Sequence, residues 1–83
     1  MKYYLYILQT VDNTLYCGIA RDVEKRFQEH LNKKGAKYTR AHKPEKIVYT
    51  KEFETKSEAL REEIRIKKLT REEKLKLIEE NRE

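Results

Sequence analysis

The sequence predicts a small α+β domain with its elements in the order β-β-α-β-α-α. Three observations carry that prediction. Two strand-like apolar runs flank Asp12-Asn13, a third strand-like run surrounds Ile47-Val48-Tyr49, and three stretches of helical periodicity each follow a capping residue.

Residues 3–9 are almost all aromatic or aliphatic and read as a strand. Asp12 and Asn13 favour a turn because their side chains bond their own backbone, so residues 14–20 become the return strand of a hairpin. Asp22 is suited to cap a helix over 23–32, with Val23, Phe27 and Leu31 as its buried stripe. Gly35 ends that region, and residues 33–44 read as a basic connector closing at Pro44. A third strand is expected over about 46–53. Thr55 with Glu58, and Thr70 with Glu73, have capping-box spacing and open helices near 56–69 and 71–80. The last helix carries Leu75, Leu77 and Ile78 on an otherwise charged surface. Residues 81–83 are expected to form a frayed tail.

A chain of 83 residues makes one domain, 1–83, since two cores need more material. Charged residues are 42% of the chain, but six Tyr, two Phe and regular aliphatic positions argue for a packed core and against disorder. Lys and Arg number 20 against 15 Asp and Glu, and Lys33, Lys34, Lys37, Arg40, Lys43 and Lys46 lie in one stretch that contains only Glu45 as an acid. Such a run fits a solvated loop or a polyanion partner, nucleic acid being the commonest. The single cysteine, Cys17, excludes an internal disulfide and a cysteine-based metal site. No run approaches the ~20 apolar residues of a membrane span and no signal peptide is evident, so the expected location is the cytoplasm, without membrane partners. Oligomeric state is left open.

Strand alternation separates two kinds of side chain. Leu5, Ile7, Leu15, Cys17 and Ile19 share one face, while Tyr4, Tyr6, Tyr16 and Gly18 share the other. Two phenols beside a glycine read either as aromatic cross-strand pairing or as a shallow floor that a ligand backbone could approach. On the first helix, Arg26 and His30 are four residues apart and project from one side. Arg26 offers a fork suited to phosphate, and His30 a proton exchanged near neutral pH. In the following helix Ala59, Leu60, Ile64 and Ile66 define an apolar sector with Glu63 near its middle and Glu62 toward its edge. A carboxylate turned toward a core needs a partner. Glu63 is therefore half of an ion pair, with Arg26 as a candidate, or a ligand for a hard divalent cation. Together these groups suit phosphodiester cleavage better than acyl transfer, because Cys17 falls on the core face away from His30.

Tyr4-Leu5-Tyr6 and, after a spacer of nine residues, Tyr16-Cys17-Gly18 resemble the two halves of the GIY-YIG nuclease signature. The likeness continues through Arg26 and His30 and through Ser57-Glu58-Ala59-Leu60 with Glu63, and the Lys-Gly-Ala-Lys-Tyr-Thr-Arg run ending at Arg40 resembles the small stand-alone URI-domain branch. The resemblance implies a three-stranded antiparallel sheet flanked by helices and a single-metal DNA cleavage site. It implies Tyr6 as general base for water, Tyr16 positioning water or phosphate, and Gly18 keeping the floor open. It further implies Arg26 stabilising phosphate charge, His30 bonding or relaying a proton, and Glu63 binding Mg2+ or Mn2+. The chain departs from the family in carrying Tyr4-Leu5 where Gly-Ile is usual, and in having no match to a late asparagine near the site; Asn81 lies in the tail.

The leading expectation is a weakly specific endonuclease acting on DNA, single-stranded or branched. Lys33, Lys34, Lys37, Arg40 and Lys43 would hold phosphates while Tyr38 stacks on an unpaired base. The alternatives are a non-catalytic nucleic-acid-binding module on the same surface, and an adaptor that docks a protein through an exposed stripe on residues 71–80. The nuclease reading requires the Glu63 carboxylate to meet the hairpin phenols and the Arg26 guanidinium around a common hollow.

Overall fold

The run Tyr3–Thr10 forms strand β1, and its Leu5, Tyr6, Ile7 and Leu8 are all buried. Only a central strand covered on both faces buries consecutive residues in this way. The computed structural model describes residues 2–32, 34 and 37–81 and gives β1 that place, between β2 (Leu15–Ala20) and β3 (Pro44–Phe53). Both pairings are antiparallel, with Tyr6 opposite Gly18 and Ile7 opposite Cys17 on one side and Ile7 opposite Tyr49 on the other. Register shifts against β3 fall between Ile7 and Leu8 and between Gln9 and Thr10.

The hairpin turns where the sequence places it. Asn13 adopts a left-handed φ of 65°, a conformation its short polar side chain tolerates, and its Oδ1 accepts from Gln9 Nε2 at 2.8 Å. Helix α1 (Val23–Leu31) starts at Asp22, whose Oδ1 accepts from Lys25 N at 3.0 Å. Helices α3 (Lys56–Lys67) and α4 (Arg71–Glu80) both carry complete capping boxes, Thr55 with Glu58 and Thr70 with Glu73. The observed sheet and the order β-β-α-β-α-α match the sequence reading, with one addition. The basic connector contains a short helix, α2 (Lys37–Ala41), whose five residues are too few to show a periodic stripe. Lys33, Gly35 and residues 82–83 lie outside the described residues; Asn81 is the C-cap of α4.

Helices α3 and α4 cover one face of the sheet. Ile66 joins Leu5, Ile7, Cys17 and Tyr49 in the buried cluster, and Leu69, Leu77 and Ile78 pack around it. The apolar side of α4 is thus largely spent on the core, which removes the exposed stripe an adaptor would need, although Leu75 is exposed. Helices α1 and α2 lie on the other face, through His30 and Thr39.

Two expected stripes are corrected. On α1, Val23, Phe27 and Leu31 are half-buried and the fully buried residue is His30, because the helix meets the sheet through a polar contact. On α3, Leu60 and Ile64 are exposed, and the inward side runs through Ala59, Glu62, Glu63 and Ile66. Helical spacing of three and four residues links those four positions.

The caps offer a direct check. Thr55→Ala or Thr70→Ala should cost about 1 kcal/mol. Thermal unfolding should then begin roughly 4–8 °C lower, with serine at either position restoring most of the loss.

Candidate active site

On the α1 face, β1 and β2 bring Tyr6 and Gly18 opposite one another. A Cβ at residue 18 would stand 2.6 Å from Tyr6 Oη and 2.8 Å from Tyr6 Cζ. Glycine is therefore required so that the Tyr6 ring can lie across β2. The space above Gly18, expected as an open floor for a ligand, is filled by the phenol itself.

From that position Tyr6 Oη reaches His30 Nε2 at 3.0 Å, and His30 Nδ1 meets Thr39 Oγ1 at 2.6 Å. All three residues are buried. Burial pushes the Tyr6 phenol up to about 12, even though the adjacent Arg26 guanidinium pulls the other way. Burial, reinforced by Arg26, holds His30 below its ordinary range, so the imidazole is neutral at pH 7. Arg26 also pairs with Glu29 at 3.1 Å. It lines a cleft of about 330 Å³ beside β2, with Ile19, Ala20, Arg21, Lys25 and Glu29.

Tyr16 belongs to an aromatic ladder. Its ring meets the edge of His30 with centroids 5.4 Å apart and stacks on Tyr38 at 5.7 Å. Tyr38 stacks in turn on His42 at 4.4 Å, and His42 Nδ1 lies 2.6 Å from Asp12 Oδ2. Tyr38 is thus already engaged by two protein rings, and stacking on a base would have to displace one of them. Lys34, Lys37, Arg40 and Lys43 are exposed.

The structure brings Tyr6, Tyr16, Gly18, Arg26 and His30 together, but among the described residues Glu63 does not touch them, so the common hollow expected from the sequence is not closed by direct contact. Glu63 sits on α3, on the opposite face of the sheet. Its Oε2 lies 3.4 Å from Lys67 Nζ, and its charge acts on Cys17, whose thiol is pushed up to about 11 by burial and then by that carboxylate. Among the described contacts none joins Glu63 to Tyr6, Tyr16, Arg26 or His30, and the partner proposed for it from sequence, Arg26, is paired with Glu29. Cys17 belongs to β2, an edge strand, so Glu63 and the Tyr6 group flank the same edge from its two faces.

The neighbouring Glu62 is already compensated. Arg65 grips it with two bonds of 2.6 and 2.8 Å, and Lys51 adds a third cation contact at 3.5 Å. Glu63 has one long contact to a lysine. Among the described residues no three His, Cys, Asp or Glu side chains converge as a cage. Glu63 is the carboxylate here that would hold a hard divalent cation, which accepts a single protein carboxylate.

Sequence reasoning missed Thr39, although it lies in the quoted run ending at Arg40. No pattern in the chain signals that a threonine on a five-residue helix will close on a histidine nine positions earlier.

The profile described as the GIY-YIG catalytic domain matches residues 2–76. A UPF0213 protein of Staphylococcus saprophyticus is 51% identical over 95% of this chain and 96% of its own length. One from Oceanobacillus iheyensis is 53% identical over 94% of this chain and 91% of its own. The solution NMR structure of a UPF0213 protein from Bacillus halodurans superposes with a TM-score of 0.64 at 41% identity, covering 98% of this chain and 86% of that one.

Gly18→Ala tests the packing directly. The added methyl must displace the Tyr6 ring, so unfolding free energy should fall by about 1–3 kcal/mol. The Tyr6 and His30 ring signals should shift in an NMR spectrum; an unchanged spectrum would mean the ring does not lie over β2.

Proposed function

Because the chain belongs to the GIY-YIG catalytic-domain family, we propose that it is a divalent-metal-dependent endonuclease. It would hydrolyse DNA phosphodiester bonds with low sequence specificity, on single-stranded or branched substrates. The observation that carries this reading is the Tyr6 phenol bonded to His30 Nε2 and within the electrostatic reach of the Arg26 guanidinium, which lines a cleft along β2.

Hydrolysis needs a water proton removed, the phosphate charge balanced and the cleaved oxygen relieved of its charge. A phenol titrating near 12 keeps its hydrogen at neutral pH. Tyr6 therefore accepts a proton from water only as it gives its own to His30 Nε2, which is vacant in the neutral ring when Nδ1 carries the hydrogen. The phosphorus–oxygen bond to water forms, the ester bond breaks with its electron pair on the leaving oxygen, which takes a proton from solvent, and the proton lost by water is held on the Tyr6–His30 pair. Arg26 faces the phosphate with a planar fork, and Tyr16 positions substrate from the adjacent ladder. Mg2+ or Mn2+ on Glu63 would supply charge neutralisation at the phosphate.

Lys34, Lys37, Arg40 and Lys43 hold the flanking backbone, contacts that position a strand without reading its sequence. This supports low specificity. The non-catalytic binding module remains the second reading, favoured by the near-complete burial of Tyr6, which is 2% exposed, and by the placement of Glu63 across the sheet.

Labelled single-stranded, duplex and branched DNA incubated with Mg2+ or Mn2+ separates the two. The nuclease reading expects nicking, reduced roughly 100-fold or more in each of Tyr6→Phe, Arg26→Ala and Glu63→Ala. It also expects the rate to fall in acid as His30 takes up a proton and closes Nε2 to the phenol, since its titration lies below 6.5. DNA binding without turnover in either metal would establish the binder instead.

A further inference from the structure

Resting on the nuclease reading, we infer that Tyr4 is the stacking residue of a subsite for an unpaired nucleotide next to the cleaved phosphate. The subsite is a hollow of about 410 Å³ lined by Tyr4, Arg21, Asp22, Val23 and Thr50.

Its position follows from the sheet. Tyr4 precedes Tyr6 by two residues on β1, so both side chains leave the same face, about 7 Å apart along the strand. Thr50, opposite Tyr6 on β3, belongs to that face as well. The hollow adjoins the cleft of about 330 Å³ that Arg26 lines, and the two share Arg21 and Asp22 at the entry to α1. A strand whose phosphate meets Arg26 therefore has a neighbouring nucleotide within reach of Tyr4.

The ring is available for stacking. Tyr4 is half-buried, and among the described residues it enters no ring contact, whereas Tyr6, Tyr16 and Tyr38 all lie against other rings. It is also held in place. Tyr4 Oη donates to Glu52 Oε1 at 3.1 Å, and Glu52 Oε2 pairs with Lys2 Nζ at 3.1 Å. The ring is thus anchored at its tip, and the carboxylate that anchors it has its charge offset. Tyr4 stands where the usual signature has glycine, so the catalytic motif does not account for this ring.

The rest of the lining suits a nucleobase. Val23 adds an apolar wall, while Thr50 supplies a hydroxyl and Asp22 the carboxylate oxygen that its helix cap does not use. An apolar surface with a few polar groups at its margin is what a flat heterocycle with a polar edge requires. Bases in a duplex already stack on their neighbours and pair through their edges, so only an unpaired nucleotide can offer a free face to Tyr4. The subsite selects single-stranded or branched DNA by that requirement, without reading sequence.

The test is NMR of the tyrosine rings during titration with a short thymidine single strand of non-cleavable phosphorothioate linkages, with affinities for that strand and for a duplex measured by fluorescence anisotropy. The wild-type Tyr4 ring and the Thr50 amide should shift on binding the single strand. Tyr4→Leu should weaken single-strand binding roughly fivefold or more and leave duplex binding unchanged, while Tyr4→Phe keeps most of the affinity. A Tyr4 ring that does not move in wild type would overturn the inference, even if Tyr4→Leu fails to fold. So would a folded Tyr4→Leu protein that binds the single strand as wild type does, or that loses both DNA forms equally. Nicking of labelled DNA by wild type judges the nuclease reading separately. Cleavage without a shift at Tyr4 removes only the subsite, and a shift at Tyr4 without cleavage removes only the nuclease.

Discussion

The close approach of the Tyr6 ring to the backbone of Gly18 is the contact on which the site depends. Any side chain at residue 18 would occupy the volume of the Tyr6 hydroxyl. With hydrogen there, the phenol lies across β2 and ends within bonding distance of His30. That reach places a polar chain, Tyr6–His30–Thr39, where a helix would ordinarily bury aliphatic residues. The same burial sets the proton affinities, raising the phenol and lowering the imidazole. Packing and proton chemistry are one arrangement here.

The second constraint is the two-sidedness of the sheet. β1 is covered above and below, and its alternation sends Tyr6 to one layer and Leu5 and Ile7 to the other. Glu63 belongs with the second layer, beside Cys17, while Arg26 belongs with the first. The groups share only the open edge of β2. A substrate strand laid along that edge is the simplest object that could be touched from both faces. Of the two inward-turned acids, Glu62 is already neutralised by Arg65 and Lys51, which leaves Glu63 as the carboxylate with capacity for another cation.

Much of this was legible in the chain because it follows from local rules. Asp22, Thr55 and Thr70 cap their helices as their spacing requires, and Asn13 turns the hairpin. Period-two alternation correctly divided Tyr6 and Gly18 from Leu5, Ile7 and Cys17. What escaped depends on packing between elements. The stripe of α1 was read from its aliphatic and aromatic residues, whereas His30 is the residue that docks, because its partners lie on β1 and α2. Leu60 and Ile64 drew the sector of α3 too far round, since hydrophobicity alone does not reveal which side the sheet will take. Tyr38, legible as an aromatic in a basic run, proved to be stacked on the protein's own rings.

On the proposed reading, a divalent cation and a DNA strand would meet at the β2 edge, between Glu63 and the Tyr6 group. Paramagnetic broadening of a 15N-labelled sample by Mn2+, in the presence of a non-cleavable phosphorothioate strand, locates the ion directly. The account predicts strongest broadening at Glu63 and the β2 residues Tyr16 to Ile19, lost in Glu63→Ala. Broadening centred instead on the exposed acids of α4, and unchanged in that variant, would contradict it.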